Sequence, residues 1–246
     1  MTEPYWSDYL HQFKDVPASS FNLSLNTNKF CVIVEPRKHK YLIPVIKNFM
    51  YLLQSKGWGL IVFHGTENEQ FVRDGLAGWN NVLYRNVGVP NLSGILYNDL
   101  LCTPKFWTDI QSVGCEHCLI FQTDTVLLRD NVDDFLEYDY VGAPWCIEFE
   151  PGLAVGNGGL SLRKVSTMLD ILRKHPRTIL GGTRHEDIYF SYWCLKDNRT
   201  IPNVFTAKKF AVETVYYHSP TGLHAPHIDI FPSPESYVEL LSVRHL

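Results

Sequence analysis

The chain lacks the long apolar segments that cross membranes. Within its 246 residues, no run approaches the ~20 consecutive apolar residues that a membrane-spanning helix needs. Residues 1–6 also lack the basic and apolar regions of a signal peptide. These absences predict that this chain has no membrane span and lies in the cytoplasm, although an anchor in a longer parent protein stays compatible with them.

An excess of positive charge is absent as well. The chain has 22 lysine and arginine residues against 26 aspartate and glutamate residues, which gives a net charge of −4 with neutral histidines. Proteins that bind phosphate backbones usually carry an excess of basic residues. The composition therefore argues against nucleic acid as a partner.

Cysteine is too sparse for a disulfide framework, with six residues in the chain. Cys31, Cys118 and Cys194 lie in apolar runs, as small buried hydrophobic residues do. Cys115 and Cys118 have CxxC spacing, but no second pair follows to complete a tetrahedral zinc site. We predict reduced thiols.

What the chain does contain is typical of one globular domain. Hydrophobic residues make up 45% and charged residues 20%, and this length is enough for a substantial core. Residues 1–29 show no clear periodicity, so we predict an N-terminal arm there and a single domain over residues 30–246.

A strand, a helix and a second strand follow the arm. Residues 30–34 form an apolar run, and apolar residues then recur at helical spacing from Leu42 to Leu53. Gly57 is a suitable helix stop, and residues 60–63 form the next apolar run. This order predicts a parallel βαβ unit and an α/β fold.

The remaining segments show weaker patterns. Thr103 and Pro104 are a cap and a first helical residue, and a buried strand from Cys118 ends before Asp124. Two further strands are predicted, at 138–141 and 160–162, together with a turn at 142–145 and a glycine-rich turn at 156–159. A helix is predicted at 165–172, stopped by Pro176. Another helix begins at Glu186 and turns Ile188, Tyr189, Tyr192 and Trp193 inward, and the tail is predicted to be mostly loop.

Three features are candidates for chemistry. Asp124 follows a buried strand, where open α/β sheets bind ligands. Residues 156–159 read Gly-Asn-Gly-Gly and let backbone approach a ligand closely, and Glu186 and Asp187 place two acids at a helix start. Each also has a structural interpretation, because aspartate caps turns and acids stabilise helix starts. Together they indicate a metal-assisted transferase that acts on a diphosphate-linked donor.

Four blocks in this order resemble a known family: residues 121–124, 138–145, 155–163 and 186–191. They look like a poorly characterised glycosyltransferase-like family that is similar to GT-A fold nucleotide-sugar glycosyltransferases. The resemblance covers residues from about Phe30 to about His227. It implies a single GT-A-like (Rossmann-like) α/β domain, with a mostly parallel central sheet flanked by helices.

The resemblance also implies a divalent metal, Mn²⁺ or Mg²⁺. In GT-A enzymes an Asp-x-Asp motif holds the cation, and here that role falls on Asp124, while Gln122 replaces the first acid. A histidine near the C-terminus often completes the metal shell, and His224 is our choice over His218 and His227. A hard cation would neutralise charge on the departing diphosphate.

Further roles follow from the same resemblance. Asp187 is expected to act as general base, and Glu186 to orient the acceptor, although the two could be exchanged. The predicted donor contacts are Glu35, Arg37, Gln122, Thr123, Asp124, Asn157, Gly158 and Gly159.

The expected activity is transfer of a sugar from a nucleotide-sugar donor, a UDP-sugar, to a hydroxyl of a carbohydrate or other acceptor, with inversion. A retaining mechanism would need no base at Asp187. Two alternatives stay open: a noncatalytic carbohydrate- or nucleotide-binding module of the same fold, and a metal-dependent nucleotide-sugar hydrolase.

Overall fold

The computed structural model of the chain describes residues 6–177, 185–226 and 228–245. They form a mixed α/β fold around a six-stranded sheet with the order β3-β2-β1-β4-β7-β6. Its strands are β1 (Lys29–Val34), β2 (Gly59–His64), β3 (Leu83–Asn86), β4 (His117–Phe121), β6 (Tyr140–Pro144) and β7 (Val155–Lys164).

All pairings from β3 to β4 are parallel, whereas β7 runs antiparallel to both β4 and β6. A smaller sheet has the order β5-β9-β8, with β5 (Thr125–Leu127), β8 (Ala211–Val212) and β9 (Gly222–His224). The helices are α1 (Ser7–Leu10), α2 (Leu42–Leu53), α3 (Glu69–Gly75), α4 (Gly94–Leu101), α5 (Pro104–Gln111), α6 (Val165–Lys174), α7 (Glu186–Lys196), α8 (Val204–Phe210) and α9 (Pro234–Leu241). The prediction of a mostly parallel sheet flanked by helices is confirmed.

The predicted βαβ unit is β1, α2 and β2. Side chains of β1 alternate between the two faces of the sheet: Cys31 and Ile33 belong to one apolar cluster, Phe30 and Val32 to the other. Because both faces are covered, the strand reads as a continuous apolar run. Gly57 ends the helical segment with a φ of 80°, a left-handed conformation that glycine adopts without strain.

The order of strands creates a crevice at one edge of the sheet. From β1 the chain moves outward through β2 to β3, then crosses to β4 on the other side of β1. The connections that leave β1 and β4 therefore diverge, and ligands of open α/β sheets bind at such a point. β1 ends just before Glu35, and β4 ends just before Gln122.

The two turns predicted at 142–145 and 156–159 are wrong, because most of these residues lie within β6 and β7. Tertiary pairing overrides the turn tendency of glycine here. The pairing jumps from Gly142 opposite Ser161 to Ala143 opposite Asn157, so residues 158–160 form a bulge without partners on β6. Bulges of this kind redirect backbone groups and side chains next to functional sites.

Two further predictions need correction. The buried face of α7 carries Glu186, Tyr189, Phe190, Ser191 and Cys194, whereas Ile188, Tyr192 and Trp193 are only half-buried. The tail also contains more regular structure than predicted, namely β9 and α9.

The N-terminal arm packs onto the domain. Tyr9, Phe13 and Phe21 are buried in the same apolar cluster as α2, and the Tyr9 hydroxyl donates a 2.7 Å hydrogen bond to the carbonyl of Leu127 in β5. None of the helices in the described part of the chain is long and apolar enough to cross a membrane.

Candidate functional site

A cavity of about 500 Å³ opens at the carboxyl ends of β1 and β4. Every site residue predicted from the sequence lines it, which is the strongest agreement between sequence and structure. The alternative His218 is not among the lining residues, and His227 lies outside the described residues. The lining residues are Val34, Glu35, Pro36, Arg37, Leu92, Gly94, Tyr97, Asn98, Gln122, Thr123, Asp124, Asn157, Gly158, Gly159, His185, Glu186, Asp187 and His224.

The small sheet brings Asp124 and His224 together. Thr125 of β5 pairs with His224 of β9, and the amide of Ala225 donates a 2.9 Å hydrogen bond to the carbonyl of Asp124. Across this pairing, His224 Nε2 lies 3.6 Å from Asp124 Oδ1. That oxygen is buried and makes no hydrogen bond to any described residue.

The His224 imidazole is enclosed on its other sides. Its Nδ1 lies 3.3 Å from Glu213 Oε1, and its ring lies where a side chain on Gly159 would project. Burial alone lowers the pKa of His224, but Glu213 and Asp124 outweigh burial and raise it above its ordinary value. An alanine at residue 159 would displace the ring.

The pair of Asp124 and His224 fits a divalent cation. Two neighbouring ligands of an octahedral ion, each about 2.1 Å from it, stand about 3 Å apart, close to the separation of these two side chains. Among the described residues, no cluster of three or more histidine, cysteine or acidic side chains is placed to hold a metal. A cation here would therefore take its other ligands from phosphate oxygens and water, as Mg²⁺ usually does.

Asp187 is the less buried of the two adjacent acids. Its Oδ2 accepts a 3.1 Å hydrogen bond from the amide of Gly158 in the bulge, and its Oδ1 accepts a 2.8 Å bond from the amide of Ile188. Its carboxylate makes no ion pair with the lysines and arginines of the described segments. Backbone amides thus orient the Asp187 carboxylate.

Glu186 has a different environment from the one its predicted role requires. Arg163 donates to both of its oxygens, at 2.5 and 2.9 Å, and both side chains are buried. Burial raises the pKa of Glu186, and Arg163 counteracts that rise. For Arg163, burial lowers the pKa, and the charge of Glu186 more than restores it. Glu186 therefore fixes the start of α7, and the structure does not favour exchanging its role with that of Asp187.

Helix α4 contributes two residues that the sequence patterns missed. Asn98 accepts a 2.8 Å hydrogen bond from the Glu186 amide, which caps α7 from outside. The Tyr97 hydroxyl is buried and has no hydrogen bond of ordinary geometry within the described chain. Burial raises the pKa of Tyr97, and Gln122 partly offsets this. Ser93, whose side chain accepts from the Leu96 amide, was the available signal for this helix.

Glu35 and Arg37 form the wall at the end of β1. Arg37 donates to both Glu35 oxygens, at 2.8 and 2.7 Å, and Glu35 is buried while the arginine is half-exposed. Asn68 was also missed by the sequence analysis. It donates to the carbonyls of both residues and so holds the loop in place.

Residues 91–224 match the family model described as a protein of unknown function, DUF5672. This segment is more than half of the chain, so the protein belongs to that family. The match includes every lining residue from Leu92 to His224, whereas Glu35 and Arg37 precede it. A comparison with curated proteins finds no match.

Proposed function

We propose that this protein is a glycosyltransferase of GT-A type that moves a sugar from a nucleotide-sugar donor, a UDP-sugar, to an acceptor hydroxyl. One observation carries the proposal. A single cavity at the switch point of the sheet holds a pair of side chains suited to a cation, Asp124 with His224, and a separate oriented carboxylate, Asp187. Metal-assisted, inverting transfer from a diphosphate donor uses these two functions together.

The charge of the cavity supports the need for a cation. Four carboxylates line it, those of Glu35, Asp124, Glu186 and Asp187, whereas Arg37 is the one lysine or arginine among the lining residues that the structure describes. Arg37 is already paired with Glu35. Arg163 likewise pairs with Glu186, so Asp124 and Asp187 are the lining carboxylates without an arginine partner among the described residues. Their charges would repel a diphosphate that enters alone, and Mn²⁺ or Mg²⁺ held by Asp124 and His224 would neutralise charge on the leaving diphosphate.

Asp187 is proposed to remove the proton from the acceptor hydroxyl. The amides of Gly158 and Ile188 fix its two oxygens. A base on the acceptor side fits direct displacement with inversion. The ion pair between Arg163 and Glu186 supports the choice of Asp187 over Glu186 as the proposed base.

The remaining lining groups are proposed to bind the donor. Tyr97 presents a buried hydroxyl that makes no hydrogen bond of ordinary geometry to any described residue, and a ligand that supplies a partner would recover the cost of its burial. Asn157 and Gly158 also line the cavity, and the Asn157 amide can donate to and accept from sugar hydroxyls.

The first experiment is thermal unfolding with UDP, Mn²⁺ and both together. A ligand that binds the folded state raises the melting temperature, so the pair is expected to stabilise more than the sum of the separate shifts. Asp124→Asn should abolish the additional shift. An equal shift with and without chelator contradicts the metal role of Asp124.

Product analysis separates the enzyme classes. A panel of sugar nucleotides incubated with metal and a range of acceptors should yield a glycosylated acceptor. Free sugar as the sole product with every acceptor identifies a hydrolase, and binding without turnover identifies a noncatalytic module.

A further inference from the structure

The small sheet aligns three side chains in a row. In β8 and β9, Ala211 pairs with Gly222 and Val212 with Leu223, so the register continues to Glu213 beside His224. On the other edge of β9, Thr125 pairs with His224 and the chain leads back to Asp124. The order across the sheet is therefore Glu213, His224, Asp124.

The two carboxylates face opposite sides of the imidazole. Glu213 Oε1 lies 3.3 Å from Nδ1, and Asp124 Oδ1 lies 3.6 Å from Nε2. Because the two ring nitrogens point away from each other, a cation bound to Nε2 cannot also contact the carboxylate at Nδ1. Glu213 thus has access to His224 and no access to the proposed cation.

We infer that Glu213 is a positioning residue for the metal ligand His224. Glu213 Oε1 lies 3.3 Å from Nδ1, a buried nitrogen that makes no hydrogen bond of ordinary geometry to a described residue. When a cation binds Nε2, the Glu213 carboxylate would accept the Nδ1–H and so hold the tautomer whose free electron pair on Nε2 points towards Asp124. Histidines that bind metals commonly donate their second N–H to such a group, which orients the ring and makes it a better ligand. This inference rests on the proposed function, because it assumes that Asp124 and His224 bind a cation.

Gly159 completes the arrangement. The imidazole packs where a side chain on residue 159 would project, so glycine at this position leaves the space that the ring occupies. Glu213 itself is mostly buried, with 14% of its side chain exposed, and is shielded from competition by water. The ring is therefore held by one contact on its face and by one carboxylate at Nδ1.

The test measures Mn²⁺ binding by electron paramagnetic resonance, without nucleotide or activity. Glu213→Ala is expected to weaken Mn²⁺ binding by about 10- to 100-fold. Glu213→Gln, whose amide oxygen still accepts a hydrogen bond, should weaken it less. Glu69→Ala is the matched control, because Glu69 pairs with Arg73 on α3, away from the cavity, and should leave binding unchanged. Melting temperatures identify variants that fail to fold. If Glu213→Ala does not fold, the comparison of Glu213→Gln with the unaltered protein is the test.

A spectroscopic readout tests the tautomer directly. The Co²⁺-loaded protein should show one hyperfine-shifted, exchangeable imidazole N–H resonance in its proton NMR spectrum. The resonance should be absent from His224→Ala and lost through rapid exchange in Glu213→Ala.

The outcomes distinguish the inference from the proposed function. If Asp124→Asn and His224→Ala weaken Mn²⁺ binding while both Glu213 variants bind as the unaltered protein does, the inference is wrong and the metal site stands. If Asp124→Asn and His224→Ala bind Mn²⁺ unchanged, the metal site fails and the inference fails with it.

Discussion

Arg163 and Glu186 form an ion pair in which both guanidinium arms contact the carboxylate and neither side chain is more than 4% exposed. The pair joins β7 to the start of α7. Removing one partner leaves a buried charge without compensation, so Arg163→Met should lower the free energy of unfolding by about 3–5 kcal/mol in urea titrations. Combining it with Glu186→Gln should recover part of the loss.

Arg73→Met provides the matched control for this pair. Arg73 and Glu69 are both about half-exposed, and their ion pair should contribute no more than about 1 kcal/mol. Similar losses for the two arginine variants would show that the buried pair has no special structural role.

Asp187→Asn should lower turnover by about 10²- to 10⁴-fold, because the amide cannot accept the acceptor's proton. The amide oxygen can still accept from Gly158, so the melting-temperature shift with UDP and Mn²⁺ should persist. Asp109→Asn, on the exposed side of α5, should leave turnover unchanged. Undiminished turnover in Asp187→Asn would place the base elsewhere.

Gly159→Ala should weaken Mn²⁺ binding through His224. Residue 159 does not have a left-handed φ, so alanine is compatible with its backbone, but the added methyl group occupies the position of the imidazole. In a double-mutant cycle, Gly159→Ala should have little further effect on Mn²⁺ binding once His224 is alanine. Additive effects of the two substitutions would rule out this mechanism.

Tyr97→Phe should leave the free energy of unfolding unchanged or slightly higher, because the hydroxyl is buried and makes no ordinary hydrogen bond within the described segments. Donor binding should weaken by about 0.5–1.5 kcal/mol if the ligand supplies that partner. Calorimetry with the donor and urea unfolding measure the two effects. Tyr189→Phe should show the opposite pattern, because its hydroxyl donates to the His175 carbonyl and does not line the cavity.

Protonation of His117 should make the folded protein less stable in mild acid. Burial, together with the charge of Lys164, lowers the pKa of His117 below its unfolded value of about 6.5. The folded state therefore favours the neutral imidazole. The contribution of His117 to stability is fully present above its unfolded pKa and is lost as the pH falls through its folded pKa. Between pH 7 and about 5, the melting temperature of His117→Gln should decrease less than that of the unaltered protein. Equal decreases in melting temperature for His117→Gln and the unaltered protein would show that His117 does not cause this loss of stability.

The sequence predicted those parts of the fold in which local pattern and tertiary context agree. The apolar runs of β1 and β2 and the cap at Thr103 were sufficient, because each element is specified by its own residues. The Ser233-Pro234 pair is the same helix-start signal as Thr103-Pro104, yet the surrounding prolines concealed α9. The bulge in β7 was beyond sequence reasoning, because its glycines resemble a turn until β4 and β6 pair on either side.

The site was predictable in its residues and less so in their roles. Asp124, Asp187 and His224 all line the cavity, as expected. The engagement of Glu186 by Arg163 depends on a contact across 23 positions of the chain, which no local pattern reveals. Tyr97 and Asn98 were missed for the same reason, because their relevance arises only when α4 packs over the cavity.

The bulge in β7 makes the number of residues between Asn157 and Ser161 important for the site. Gly158 contacts Asp187 and Gly159 contacts His224, so neighbouring positions serve opposite walls of the cavity. Deleting one residue between 157 and 160 would shorten the three-residue bulge and shift Gly158 and Gly159 relative to Asp187 and His224. Insertions in the connection between β6 and β7 would leave that spacing intact, so the length of this connection can change without moving Gly158 or Gly159 from their contacts.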